Sequence, residues 1–87
     1  MNILKEADKI VNKRSEEKTR MYGNFHECMK KTAEIASLMG DKNISTIEAY
    51  NVLIALKLAR QSNAHKEDNL LDAVAYMGSL NNLLENE

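Results

Sequence analysis

The densest run of apolar positions in the chain lies between Ser45 and Arg60, in the segment STIEAYNVLIALKLAR. Its apolar positions are Ile47, Ala49, Tyr50, Val52, Leu53, Ile54, Ala55, Leu56, Leu58 and Ala59. A single amphipathic stripe needs fewer apolar residues, so the pattern predicts a central helix that is buried on most of its circumference. Ser45 and Glu48 have the spacing of a capping box, which predicts where this helix begins.

Three further helices follow from the same periodicity. Asn2 can cap a first helix that carries one apolar stripe, and Asn24 with Glu27 three residues later has the spacing of a second capping box. Gly40 stands where a helix C-terminus favours glycine. The sequence therefore predicts an all-α bundle, with helices over about residues 2–17, 24–39, 46–61 and 67–84 in one domain spanning residues 1–87.

The chain has 87 residues, no proline and three glycines, which favours an all-helical fold close to the smallest size that one core can stabilise. Association of identical chains commonly adds the missing burial, so we expect a homo-oligomer. The small residues of the last helix would permit close approach of a second subunit. They are Ala73, Ala75, Gly78 and Ser79.

The formal net charge is −1, which gives no global field for binding DNA, RNA or an anionic membrane. The lone Cys28 excludes an internal disulfide and fits a reducing compartment. There is no apolar stretch of the roughly 18 residues that a membrane span needs, nor a charged leader followed by an apolar run. We therefore expect a cytoplasmic protein without a membrane partner.

The candidate chemistry lies where the third helix ends and the fourth begins. A tight turn there should bring Lys57 and Arg60 close to Asp68 and Asp72. Two interpretations remain open at this point. The four charges could form a salt-bridged hairpin, or they could line a pocket whose carboxylates hold Mg²⁺ or ligand hydroxyls and whose bases hold phosphate.

The start of the second helix would supply a third wall of such a pocket. Tyr22 could stack on a nucleobase, with Asn24 and Glu27 beside it. His26, in the first turn of that helix, is expected to be a neutral surface side chain. His65, in the turn before the fourth helix, could cap that helix and contact a ligand. Tyr50 and Tyr76 are expected in the core, with their hydroxyls at its edge.

The order and spacing of these residues also resemble those of a known protein family. The succession Tyr22-Gly23-Asn24-x-x-Glu27, Lys57-x-x-Arg60 and His65-x-x-Asp68-x-x-x-Asp72 resembles a family of small proteins common in bacteriophages and prophages. The resemblance covers about residues 14–80 and leaves the first helix outside. That family is in turn distantly similar to the MazG-like all-α nucleoside triphosphate pyrophosphatases, which are dimers or tetramers that hold Mg²⁺ with Glu-x-x-Glu and Glu-x-x-Asp helices.

The second similarity implies Glu27, Asp68 and Asp72 as metal ligands, but the motifs are incompletely met. Lys30 stands at the second carboxylate position of the first motif, and Asn69 at the glutamate position of the second. Hydrolysis of a phosphoanhydride in such a site needs several carboxylates, so binding without turnover is the better expectation.

Three functional hypotheses follow. The first is a phage-type homo-oligomer that binds a nucleotide-like phosphorylated ligand and sequesters it, including a cyclic-nucleotide signal of host defence; Tyr22, Asn24, Lys57, Arg60 and His65 would bind the ligand. The second is a reduced MazG-like, Mg²⁺-dependent pyrophosphatase. The third is a protein-interaction module without a small ligand, whose charged cluster is structural.

Overall fold

The computed structural model describes residues 1–13, 18 and 24–86. Within these residues it contains four α-helices and no β-strand, as the sequence predicted: α1 (Ile3–Asn12), α2 (Phe25–Gly40), α3 (Thr46–Asn63) and α4 (Glu67–Glu85). The first helix is shorter than the predicted 2–17, because Lys13 leaves helical geometry at φ −128° and ψ 40°. Val11 is the last apolar residue before a wholly polar segment, so a longer helix would have no apolar side chain with which to pack.

Local side-chain caps fix the starts of three helices where the sequence placed them. The Asn2 side chain accepts hydrogen bonds from the backbone N–H groups of Leu4 and Lys5, and the Asn24 side chain accepts from those at the start of α2. Ser45 and Glu48 form the reciprocal capping box, with bonds of 3.1 and 3.3 Å. Each cap satisfies backbone donors that have no partner within the helix.

The connection between α2 and α3 departs from the prediction at its glycine. Gly40 is the last helical residue, and Asp41 adopts the left-handed conformation at φ 50° and ψ 42° that a helix C-terminus usually assigns to glycine. The Ser37 hydroxyl fixes the loop, since it accepts the Ile44 N–H at 2.8 Å and lies within hydrogen-bonding distance of the Ala33 and Ile44 carbonyl oxygens.

The helices pack in the spatial order α1, α4, α3, α2, so that α3 and α4 occupy the middle. The core cluster consists of Met29 and Ala33 from α2 and Ala49 and Tyr50 from α3. Phe25, Leu53, Leu80 and Leu83 pack around it. Tyr50 is fully buried, including its hydroxyl, so the prediction that its hydroxyl lies at the edge of the core is wrong.

The prediction that α3 is buried on most of its circumference is also wrong for the single chain. Only Ala49 and Tyr50 of this helix are buried, while Val52 is 65% exposed and Leu56 41% exposed. The two neighbouring helices, α2 and α4, cover only part of the apolar surface of α3. A large apolar surface therefore faces away from the core.

The small residues of α4 lie against other helices of the same chain. Ala73, Ala75 and Ser79 are buried, and a methyl group added at Gly78 would lie 3.7 Å from the Val11 side chain. At Gly78 this close approach is to α1 of the same chain, while the predicted contact with a second subunit stays a prediction. None of the helices in the described part of the chain has the length and apolarity needed to cross a membrane.

Candidate functional site

The turn between α3 and α4 places the two helix ends side by side, as the sequence predicted. Helix α3 runs two residues further than predicted, to Asn63, and the turn shortens to residues 64–66. The Gln61 side chain holds it: its oxygen accepts the Lys66 N–H at 3.2 Å, and its nitrogen lies 2.7 Å from His65 Nδ1. His65 therefore packs against Gln61. It does not cap α4, whose N-cap is Lys66 without a side-chain hydrogen bond.

An open groove of about 650 Å³ lies between these helix ends. Its polar lining residues are Lys57, Arg60, Asn63, Lys66, Asp68, Asn69 and Asp72. The structure thus brings together the four charged residues that the sequence singled out and adds one further charged residue, Lys66, and two amides, Asn63 and Asn69. With three cations against two carboxylates, the formal charge around the groove is positive.

The charged residues of this groove are only partly paired with one another. Lys57 Nζ lies 2.8 Å from an Asp72 carboxylate oxygen, and the two side chains are 17% and 35% exposed. Arg60 forms no ion pair with any described residue. The salt-bridged hairpin is therefore present in one pair, Lys57 with Asp72, whereas the polar pocket that binds a ligand stays a prediction.

Asn69 is one of the groove residues that the sequence analysis did not select for binding. Its side chain lines the groove although the residue is only 7% exposed. Among the described residues, none forms a hydrogen bond with its carboxamide. Buried polar side chains are nearly always hydrogen-bonded, so the Asn69 carboxamide lacks the hydrogen bond that a polar group in its position normally has. The sequence did offer one indication, because Asn69 is a polar residue on a helix face that is otherwise apolar.

Two further predicted site residues, Asn24 and Glu27, do not line this groove. Asn24 uses its side-chain oxygen to cap α2, and Glu27 lies exposed in the first turn of that helix. Tyr22 lies outside the described residues. The described part of the chain holds no group of three His, Cys, Asp or Glu side chains suited to a metal, so the structure does not bring Glu27 together with Asp68 and Asp72.

A second cavity, of about 430 Å³, adjoins the groove, because Asp72 lines both. Its walls carry Lys9, Lys13 and Lys18 together with Phe25 and Tyr76. The two aromatic rings stack on each other, with centroids 5.9 Å apart and planes 7° apart. Sequence reasoning assigned Tyr76 to the core and did not combine these lysines with it, because they are distant along the chain.

A chain of hydrogen bonds between three side chains lies behind this second cavity. The Tyr50 hydroxyl is 2.6 Å from His26 Nδ1 and 3.0 Å from Ser79 Oγ, and Ser79 itself lines the cavity. His26 is half-buried in this contact, so the prediction of a surface histidine is wrong. Burial raises the pKa of Tyr50 above its ordinary value, the Ser79 hydrogen bond lowers it, and the Cys28 thiol raises it.

Residues 2–84 match the model of a protein family, the domain of unknown function DUF6378. The chain belongs to the DUF6378 family. The match includes α1, so the family extends further toward the N-terminus than the resemblance over residues 14–80 had indicated.

The DUF6378 chain is also similar to a curated phage protein, the Gene 55 protein of Mycobacterium phage D29. The two sequences are 29% identical over 85 residues, which is 97% of this chain and 54% of the phage protein. The chain thus spans about half the length of this relative. The predicted relationship to a family of phage proteins is confirmed by this similarity. The similarity to MazG-like pyrophosphatases stays a prediction. No solved structure matches the chain.

Proposed function

We propose that this DUF6378 chain binds a small phosphorylated ligand of nucleotide type, without turning it over, in the groove between α3 and α4. The observation that carries the proposal is the buried carboxamide of Asn69, which lines the groove and has no hydrogen-bond partner among the described residues. A buried polar group without a partner costs about 1–3 kcal/mol. A ligand that hydrogen-bonds to the amide would remove that cost.

The charges of the groove favour a phosphate group as the part of the ligand that binds there. The Arg60 guanidinium pairs with no described carboxylate and can donate two parallel hydrogen bonds to phosphate oxygens. Helix α4 begins at the same place without a side-chain cap, so no side chain accepts from the backbone N–H groups of its first turn, which a bound anion would satisfy even though Glu67 and Asp68 stand in that turn. Lys66, on the groove wall, adds a second cation.

The neighbouring cavity favours a ligand with an aromatic part. Phe25 and Tyr76 give it an aromatic wall, and Asp72 borders both spaces, so a ligand with its phosphate beside Arg60 could extend toward the rings. Bases stack on aromatic side chains without strong sequence preference. The same geometry would serve a mononucleotide or a cyclic oligonucleotide.

Binding without turnover is supported by what occupies the carboxylate positions. Asp72 is held in an ion pair by Lys57, and Asn69, an amide that cannot act as a general base, stands between Asp68 and Asp72. In a phage setting, which the relative from phage D29 makes relevant, tight binding alone would remove a nucleotide signal of host defence from solution.

Native mass spectrometry with a panel of mono-, cyclic di- and cyclic trinucleotides, with and without Mg²⁺, tests this proposal. We expect unmodified nucleotide mass on the wild-type protein, and a loss of at least about tenfold in affinity for Arg60→Gln and Asn69→Leu. Lys31→Gln is the matched control, because Lys31 is an exposed lysine on α2, away from the groove.

Two results would contradict the proposal. A wild-type protein that takes up no nucleotide would favour the protein-interaction module. Release of monophosphate and pyrophosphate in the presence of Mg²⁺, abolished by Asp72→Asn, would favour the pyrophosphatase.

A further inference from the structure

Three lysines lie around the second cavity, the space of about 430 Å³ with the aromatic wall. They are Lys9, Lys13 and Lys18. The chain as a whole has a net charge of −1, so a general surplus of basic residues does not account for this cluster. Among the described residues that line the cavity, Asp72 is the single acid, and its carboxylate is already paired with Lys57 at 2.8 Å. The formal charge of the wall is therefore positive, as it is around the groove.

The cations of this cavity are accessible to a ligand. Lys13 forms no ion pair and no side-chain hydrogen bond with any other described residue. Lys9 is paired with Glu6 at 3.3 Å, but the two side chains are 62% and 43% exposed. An ion pair in solvent contributes little to stability, so Lys9 can exchange this partner for a bound anion. An anion in the cavity would thus meet two ammonium groups that no buried carboxylate holds.

The groove and the second cavity lie along one stripe of α4. Asp68 and Asp72 line the groove. Asp72, Tyr76 and Ser79 line the cavity. Their spacings of four, four and three residues place them on one face of the helix, over a length of roughly 16 Å. A ligand with its phosphate at Arg60 and its base against Tyr76 would therefore reach the lysines of the cavity with its far end.

We infer that the second cavity holds a second phosphate group, so that the ligand is a nucleoside with phosphates at two separate positions. This inference rests on the proposed function, because it takes the groove as the site of the first phosphate. Lysine ammonium groups bind phosphate as point charges, and the aromatic ring beside them suits the base of the same nucleoside.

The position of the second phosphate decides which ligands fit. A nucleoside bisphosphate and a dinucleotide both carry phosphates on two sides of a nucleoside, and either places one in the groove and one in the cavity. A nucleoside monophosphate leaves the lysines of the cavity without an anion. A diphosphate does the same, because its two phosphates are adjacent and both stay in the groove.

Isothermal titration calorimetry of the full chain tests the inference with adenosine and guanosine compounds of four kinds: the 5′-monophosphate, the 5′-diphosphate, the 3′,5′-bisphosphate and the 5′-phosphorylated dinucleotide. We expect the bisphosphate or the dinucleotide to bind about tenfold more tightly than the monophosphate, and the diphosphate to show little of this gain. Whichever of the first two binds more tightly tells whether the second phosphate is a free group or a bridging one.

The double variant Lys9→Gln/Lys13→Gln should reduce the affinity ratio between the bisphosphate and the monophosphate from about ten to about one. Lys5→Gln is the matched control and should keep the ratio, because Lys5 is an exposed lysine of α1 that does not line the cavity. Arg60→Gln should weaken the binding of every probe. Circular dichroism checks that the variants stay folded.

The outcomes separate this inference from the proposed function. Equal binding of the monophosphate, the bisphosphate and the dinucleotide by the wild type would overturn the inference and leave the proposed function standing. A ratio that survives in Lys9→Gln/Lys13→Gln would do the same. A wild-type protein that binds none of the probes would overturn both.

Discussion

Replacing Tyr50 by phenylalanine removes one oxygen atom from the middle of the packing between α2, α3 and α4. That oxygen lies 2.6 Å from His26 Nδ1 and 3.0 Å from Ser79 Oγ, and the tyrosine is fully buried. The hydroxyl has one proton, so it donates to one neighbour and accepts from the other. The substitution keeps the ring and its edge contact with Phe25, so it isolates the polar contribution.

The expected loss of stability follows from the two side chains, His26 and Ser79, that lose their hydrogen bond to Tyr50. Each lost hydrogen bond is worth about 0.5–1.5 kcal/mol net, and a buried group left without a partner costs about 1–3 kcal/mol. Ser79 is 6% exposed and becomes such a group, although its hydroxyl can turn to a carbonyl of the preceding helical turn. His26 is half-buried and can reach water. We therefore expect Tyr50→Phe to lower the free energy of unfolding by about 2 kcal/mol.

Urea unfolding followed by circular dichroism, at one fixed protein concentration, measures this loss. The double variant Tyr50→Phe/Ser79→Ala should be little less stable than Tyr50→Phe, because the stranded hydroxyl is gone; this corresponds to a coupling energy of about 1 kcal/mol. A loss below about 0.5 kcal/mol for Tyr50→Phe, or fully additive single losses, would refute the reasoning.

Three further predictions concern pH, a helix end and the groove. Burial raises the pKa of Tyr50 above 10.0 in the folded protein. The stability that the neutral Tyr50 hydroxyl contributes is therefore complete below pH 10.0 and is lost as the pH rises through the folded-state pKa. Urea midpoints should accordingly fall less steeply above pH 10.0 for Tyr50→Phe than for the wild type. Gly40→Ala and Asp41→Gly should each stabilise the protein by about 0.5–1 kcal/mol in the same assay, since Gly40 is helical with open space around it and Asp41 is left-handed. Asn69→Leu should raise the free energy of unfolding of the ligand-free protein by about 1 kcal/mol, and unchanged or lower stability would show that the amide is satisfied.

The sequence by itself determined the features that depend on neighbours along the chain. Caps and periodicity are local, so Asn2, Asn24 and Ser45 marked the starts of three helices correctly. The pairing of Lys57 with Asp72 followed from a short turn between antiparallel helices. The end of α1 and the left-handed Asp41 were missed, because a helix C-terminus has weaker side-chain signals than an N-terminus.

Only the tertiary structure decided which surfaces are buried and which distant side chains meet. Tyr50 contacts His26 and Ser79 across 24 and 29 residues, and no local pattern connects them. Periodicity shows that a face is apolar but not what covers it. Asn69 proved to be buried, while Val52 is exposed in the helix with the densest run of apolar residues. Burial is a property of how helices pack, and the sequence of one helix does not contain the surface of its neighbour.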